Sequence, residues 1–163
     1  MVTADPAEEV LQRLLRAVNA HRLDDLVACF AAAYRNETPV HPRRGFRGRD
    51  QVRRNWSEIF TRVPDIRARV HSTALDGGTV WTEWEMAGTR TDGAAFLMRG
   101  VVIFGVAGGL ISSARFYLEP VEDASGDVNA AVSRVLGTPP EASTPEAATS
   151  EPSAAEPRER ETS

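Results

Sequence analysis

Two glutamates and a histidine are the side chains best suited to proton transfer in this chain: Glu37, Glu83 and His41. A carboxylate that an apolar pocket pushes toward neutrality can serve as general acid or base, because its pKa then approaches the working pH. Glu37 stands in Asn36-Glu37-Thr38-Pro39, and Glu83 in the run "TVWTEWEMAGT". His41 lies between Val40 and Pro42, where an imidazole can face a pocket mouth and carry protons. Arg99, Arg115 and Tyr117 are candidates to orient a ligand oxygen, and Tyr34, Asn36, Trp56 and Trp84 to line or rim a cavity. Each has a plainer alternative. Glu83 can pair with Arg99 or Arg115 across strands on an outer face, His41 can be an ordinary loop histidine, and aromatics at these spacings can be simple core. His21, His41, His71 and Cys29 are scattered without metal-ligand spacing, so no metal and no cofactor is expected.

The elements that must position these groups follow from periodicity. Val10, Leu11, Leu14, Leu15 and Val18 recur at helical spacing between Pro6 and Asn19, after the Asp5-Pro6 start signal. A second helix is predicted over Arg22 to Ala32, then an extended, irregular passage through "NETPVHPRRGF", where Pro39 and Pro42 forbid regular helix. Val52, Trp56, Ile59 and Phe60 make the stripe of a third helix, Arg49 to Arg62, stopped by Pro64. Beyond Pro64 the period becomes two. "DIRARVHSTAL", "TVWTEWEMAGT", "AAFLMRGVVIFGV" and "LISSARFYLEPV" read as four strands of an antiparallel meander, joined at Asp76-Gly77-Gly78, "TDG" and Gly108-Gly109. Asp127 to Leu136 reads as a short terminal helix. Helices first and strands after make an α+β domain with the helices on one face of the sheet.

That domain is predicted over residues 1–137. Residues 138–163, "TPPEASTPEAATSEPSAAEPRERETS", carry six glutamates against two arginines, which accounts for the whole net charge of −4. This tail has no aromatic or large aliphatic residue and is expected to be disordered, since it cannot offset the entropy of ordering. No apolar run is long enough to span a membrane, and "MVTADPAEEV" lacks the pattern of a signal peptide. With Cys29 as the single cysteine, no intrachain disulfide can form and a cytoplasmic setting is expected, without a membrane partner. Six arginines from Arg43 to Arg54 raise the question of nucleic acid. The domain as a whole carries no net positive charge, and the helical arginines fall opposite the apolar stripe, so a solvated face is the reading and no nucleic-acid partner is expected.

"GRDQVRRNW", "WTEWEMAGTRTDG" and "MRGVVIFGVAGGLISSARFYLEPV" resemble the nuclear transport factor 2-like superfamily, also described as SnoaL-like, over residues 8–122. "RFYLEPV" is similar to small actinobacterial members. The resemblance implies a cone: a curved antiparallel sheet wrapped around N-terminal helices and enclosing a pocket. It implies no single activity, because the cone hosts isomerases, hydrolases, cyclases, dehydratases and binding modules. Isomerase-like members carry a basic carboxylate before a proline, where this chain has Thr38, with Glu37 one place earlier. Their oxyanion-donating acid falls on Gly100. Hydrolase-like members need an Asp-Arg-Asp set on the late strands, where this chain offers Arg99 and Arg115 but no Asp beside either. The resemblance also implies homodimers built on the outer sheet face. The expected function is a pocket for a small, mostly apolar ligand with isomerase-, cyclase- or hydrolase-like acid–base chemistry. The alternative is a non-catalytic, homodimeric module that binds a ligand or a protein.

Overall fold

The structure is a computed structural model and describes residues 5–122 and 126–137. The chain divides into two compact units, Met1–Asp123 and Ala124–Ser163. In the second, the described element is helix α4, Val128–Leu136, capped by the Asp127 side chain, which accepts from the Ala130 backbone N–H at 3.0 Å. The tail predicted over 138–163 lies outside the described residues. Among those described, no helix is long and apolar enough to cross a membrane.

The first unit begins with helix α1, Pro6–Asn19. Asp5 caps it by accepting from the Ala7 N–H at 2.8 Å, and Pro6 takes the first turn, where a missing N–H costs nothing. Its stripe of Val10, Leu11, Leu14 and Val18 is fully buried. Each of these contributes about 1.5–3 kcal/mol through removal from water. His21, in the left-handed region at φ 53°, ends the helix, and its ring contacts the Ile66 carbonyl oxygen at 2.9 Å.

The second helix is shorter than its pattern suggests. Helix α2 covers only Leu23–Val27, and the chain is already extended in strand β1, Phe30–Glu37. The run Ala31-Ala32-Ala33 favours a helix locally, but an open sheet edge supplies hydrogen-bond partners that outweigh this weak preference. Strand β2 is the short pair Phe46–Arg47, reached through a 3-10 turn at Pro42–Arg44. Helix α3 spans Arg49–Arg62, as its stripe predicts. The meander then follows as β3 (Arg67–Asp76), β4 (Thr79–Thr89), β5 (Ala95–Ala107) and β6 (Leu110–Pro120).

The six strands form one curved sheet in the order β2-β1-β6-β5-β4-β3. It is therefore mixed, not purely antiparallel: β1 runs parallel to β6, with Glu37 opposite Arg115. The period of two cannot reveal this pairing, since it depends on a contact far apart in sequence. The α+β cone itself is as expected. Concave positions of the sheet, among them Val80, Trp84, Val102, Phe104 and Leu118, share one core with α1, Val52 of α3 and Val63. The convex side carries Trp81, Glu83, Val101 and Tyr117, all exposed.

Gly100 lets the sheet curl. Its φ is 151°, and a Cβ there would lie 2.0 Å from the Tyr117 carbonyl oxygen. Only a glycine permits β5 and β6 to approach so closely opposite Leu118.

Candidate functional site

Between the sheet and the helices lies a cavity of about 280 Å³. Every neighbouring element contributes to its wall: Leu14 from α1; Phe30, Tyr34 and Asn36 from β1; Phe46 from β2; Val52, Trp56 and Ile59 from α3. The sheet adds Trp84 and Met86 from β4, Met98, Val102 and Phe104 from β5, and Phe116 and Leu118 from β6. Thr38, Arg44, Asn55 and Glu119 complete the lining. These four are exposed or half-buried, whereas Tyr34, Trp84 and Val102 are buried, so the polar and charged groups mark the rim.

Two polar groups lie deep among the apolar ones. The Asn36 Nδ2–H donates to the Tyr34 hydroxyl at 3.1 Å, and both side chains are buried. Alternation along β1 turns Tyr34 and Asn36 inward and Arg35 outward. Burial pushes the Tyr34 phenol well above its ordinary range, against the smaller opposing effect of the Asn36 hydrogen bond. The phenol is thus a neutral group whose oxygen accepts from Asn36. Phe30 packs edge-on to the Tyr34 ring at 4.8 Å between centroids, and Phe46 lies 5.9 Å away, also edge-on. These contacts fix the direction of the hydroxyl.

Trp84 turns an apolar surface to the cavity because its polar atom is used elsewhere. Its Nε1–H donates to Thr82 Oγ1 at 2.6 Å, and Thr82 in turn donates to the Val102 carbonyl at 2.6 Å. No described buried side-chain nitrogen or oxygen is left without a partner.

At the rim, His41 Nε2 lies 3.1 Å from Glu119 Oε1. The mixed sheet explains the meeting. Because Glu37 pairs with Arg115 in parallel register, the residues after Glu37 run beside those after Arg115. A tight turn holds this segment: the His41 N–H donates to the Thr38 carbonyl at 2.8 Å, and Thr38 Oγ1 donates to the His41 carbonyl at 2.7 Å.

The remaining candidates lie outside the cavity lining. Glu83 is exposed on the convex side, in a groove with Trp81, Arg99 and Val101. Arg99 is also in this groove, but its Nε–H donates to Glu85 at 2.9 Å. This bond, joined by His71 at 3.5 Å, holds the Glu85 carboxyl below its usual range despite some desolvation. Glu37 faces outward and pairs with Arg35 at 3.2 Å, next to Arg115 in a second convex groove. Tyr117 is exposed on the same side. The physical reason is strand parity: Glu83, Arg99, Arg115 and Tyr117 alternate with the inward Trp84, Met98, Phe116 and Leu118. Of the groups singled out from the sequence, the structure brings Tyr34, Asn36, Trp56 and Trp84 together around one space, with His41 joined to it through Glu119. Glu119 and Arg44 are rim groups that sequence reasoning did not single out. No spacing announces Glu119, which becomes visible only once β1 is known to lie beside β6.

The family model described as SnoaL-like domain matches residues 11–114. The chain belongs to this family. The SnoaL-like domain is similar in structure to an epoxide hydrolase of the LEH-like type from Mycobacterium tuberculosis. The two share 19% identity and a TM-score of 0.60 over 80% of this chain and 96% of that one. It is similar also to RV0760c of M. tuberculosis, solved in complex with estradiol-17beta-hemisuccinate, at 20% identity and TM-score 0.60 over 69% and 92% of the two chains. A third similar structure is an NTF2-like protein of unknown function from Exiguobacterium sp. 255-15, at 23% identity and TM-score 0.58 over 71% and 99%. At these identities the likeness concerns the fold. No curated protein matches the chain significantly.

Proposed function

We propose that this SnoaL-like domain binds a small, mostly apolar molecule bearing a carbonyl or similar oxygen and moves a proton on it. The observation that carries this reading is the pairing of a neutral, buried Tyr34–Asn36 donor group with a carboxylate, Glu119, at the rim of the same apolar cavity. A cavity of about 280 Å³ falls just below the usual range for small-molecule sites, about 300–1,000 Å³, and so suits a small ligand. Apolar walls give affinity, and a few placed polar groups give orientation. Tyr34 would donate to the ligand oxygen and stabilise charge that develops on it. Glu119 would take the proton from the adjacent carbon and return it, with His41 holding the carboxylate in place. That RV0760c was solved with a steroid derivative supports the ligand class.

The test is deuterium exchange next to a carbonyl. α-Tetralone incubated with the protein in D₂O would lose its α-proton signal by NMR faster than in buffer, and Glu119→Gln would abolish the acceleration. Binding of α-tetralone without accelerated exchange would refute the proton transfer. It would favour the second reading, a non-catalytic binding module, for which the specific observation is that the buried part of the cavity holds only neutral polar groups.

We also propose that a second copy of the chain covers the convex sheet face. In register across β4, β5 and β6 lie Trp81, Ile103 and Arg115, and beside them Glu83, Val101 and Tyr117. Trp81, Val101 and Tyr117 are exposed large hydrophobics. Among the described residues, neither Glu83 nor Arg115 has an ion-pair partner. A two-fold axis through this face would pair Glu83 of each copy with Arg115 of the other around the apolar centre. A cytoplasmic setting belongs to the same reading, with Cys29 buried and its thiol pushed up by desolvation, hence inert.

A further inference from the structure

The arginine cluster between Arg43 and Arg54 divides once the cavity is known. Arg53 donates to Asp24 Oδ1 at 2.7 Å, and Arg54 binds Gln51 Oε1 on the solvent side of α3. Of the six, only Arg44 lines the cavity. Among the described residues, no carboxylate lies within 4.0 Å of its guanidinium. Nor, among the described residues, does a side-chain hydrogen bond engage it. Glu119, which shares the cavity lining with Arg44, pairs with His41, and Glu37 pairs with Arg35.

Its backbone is held. The Arg44 N–H donates to the His41 carbonyl at 2.9 Å and the Gly45 N–H to the Pro42 carbonyl, closing the 3-10 turn. Directly after it, Phe46 and Arg47 pair with Asn36 and Arg35 of β1. A free cation therefore stands on an anchored turn at the rim of an apolar cavity.

We propose that Arg44 selects ligands built of an apolar body and a monoanionic head, a carboxylate above all. The body would fill the cavity, and the head would pair with the guanidinium at the rim. A carboxylate matches the planar, two-pronged guanidinium fork, whereas a dianionic phosphate would call for more than one free cation. The inference rests on the cavity reading above and deepens it by naming the ligand class.

The test is calorimetric titration of the full chain with decanoate and with 1-decanol, which share an apolar chain and differ in charge. The wild type is expected to bind decanoate about fivefold to tenfold more tightly, the size of a charge-assisted pair at a partly wet rim. In Arg44→Gln the ratio should fall to about one, while Arg43→Gln, next to it but outside the lining, should keep the wild-type ratio. Equal affinities in the wild type would overturn the inference and leave the cavity reading standing. A preference that survives Arg44→Gln, or disappears equally in Arg43→Gln, would overturn it as well, the latter pointing to the diffuse potential of the loop. If neither compound binds, the cavity reading fails and this inference falls with it.

Discussion

Removing a single oxygen from the cavity is the sharpest perturbation the structure offers. Tyr34→Phe keeps the ring between Phe30 and Phe46 but deletes the hydroxyl that accepts from Asn36 Nδ2–H at 3.1 Å. Asn36 is only 8% exposed, so its donor cannot simply turn to water. An orphaned buried donor costs about 1–3 kcal/mol, more than the net value of an ordinary hydrogen bond. For a domain of this size, 1 kcal/mol corresponds to about 4 °C in Tm, so Tyr34→Phe should lower it by about 4–12 °C. Thermal and urea unfolding followed by circular dichroism would measure this. Asn36→Ala and the double variant complete a cycle whose coupling should be about 1 kcal/mol or more. The same hydroxyl is the proposed donor to a ligand ketone, so α-tetralone should bind Tyr34→Phe about twofold to tenfold more weakly, with little change for tetralin, which has no oxygen. Stability within about 0.5 kcal/mol of wild type, together with additive single variants, would refute the argument that Asn36 depends on Tyr34.

Other perturbations follow from the same geometry. Gly100→Ala forces a Cβ to within 2.0 Å of the Tyr117 carbonyl at a φ of 151°, and should cost about 3 kcal/mol or more in urea unfolding. Tyr34 has its pKa raised by burial in the folded state, so the stability it contributes is complete below about pH 10 and drains away as the pH rises further. Melting curves from pH 8 to 11 should show this fall, and Tyr34→Phe should flatten it. On the acid side, the Asp65 carboxylate accepts from the Thr89 N–H at 2.6 Å, which holds its pKa below the ordinary value. Its contribution is therefore present above about pH 4 and lost as the pH falls below, and Asp65→Asn should reduce the acid slope of Tm. For the convex face, light scattering should give a dimer mass that Trp81→Glu reduces to 17.8 kDa, the mass of one chain. Glu83→Arg and Arg115→Glu should each weaken the dimer, and the two together should restore it.

Much of the fold was legible because its signals are local. The α1 stripe, the Arg49–Arg62 helix and the turns at Gly77-Gly78 and Gly108-Gly109 depend on residues a few positions apart, and they stand where the periodicity puts them. Strand β1 was not legible for the opposite reason. Its alanines favour a helix, and what makes it a strand is β6, more than seventy residues later, offering a free edge. Such a contact leaves no mark on the strand's own pattern.

This missed strand also decides what could be read of the site. Parity within β4 puts Trp84 and Glu83 on opposite faces without any knowledge of neighbours, since alternation is a property of one strand, and the burial of Trp84 shows which face is the inner one. Glu119 has the parity of Arg115 and Tyr117, both exposed, and by alternation alone it belongs outside. It reaches the rim because the chain beyond Glu37 runs parallel to β6 and brings His41 to the strand's end. The same parallel pairing carries the Pro42–Arg44 turn over the cavity. A side chain whose role is set by its own strand can be read from a sequence, whereas one whose role is set by the neighbouring strand requires the topology first. In this domain the apolar wall is of the first kind, and the charged rim that would give the cavity its chemistry is of the second.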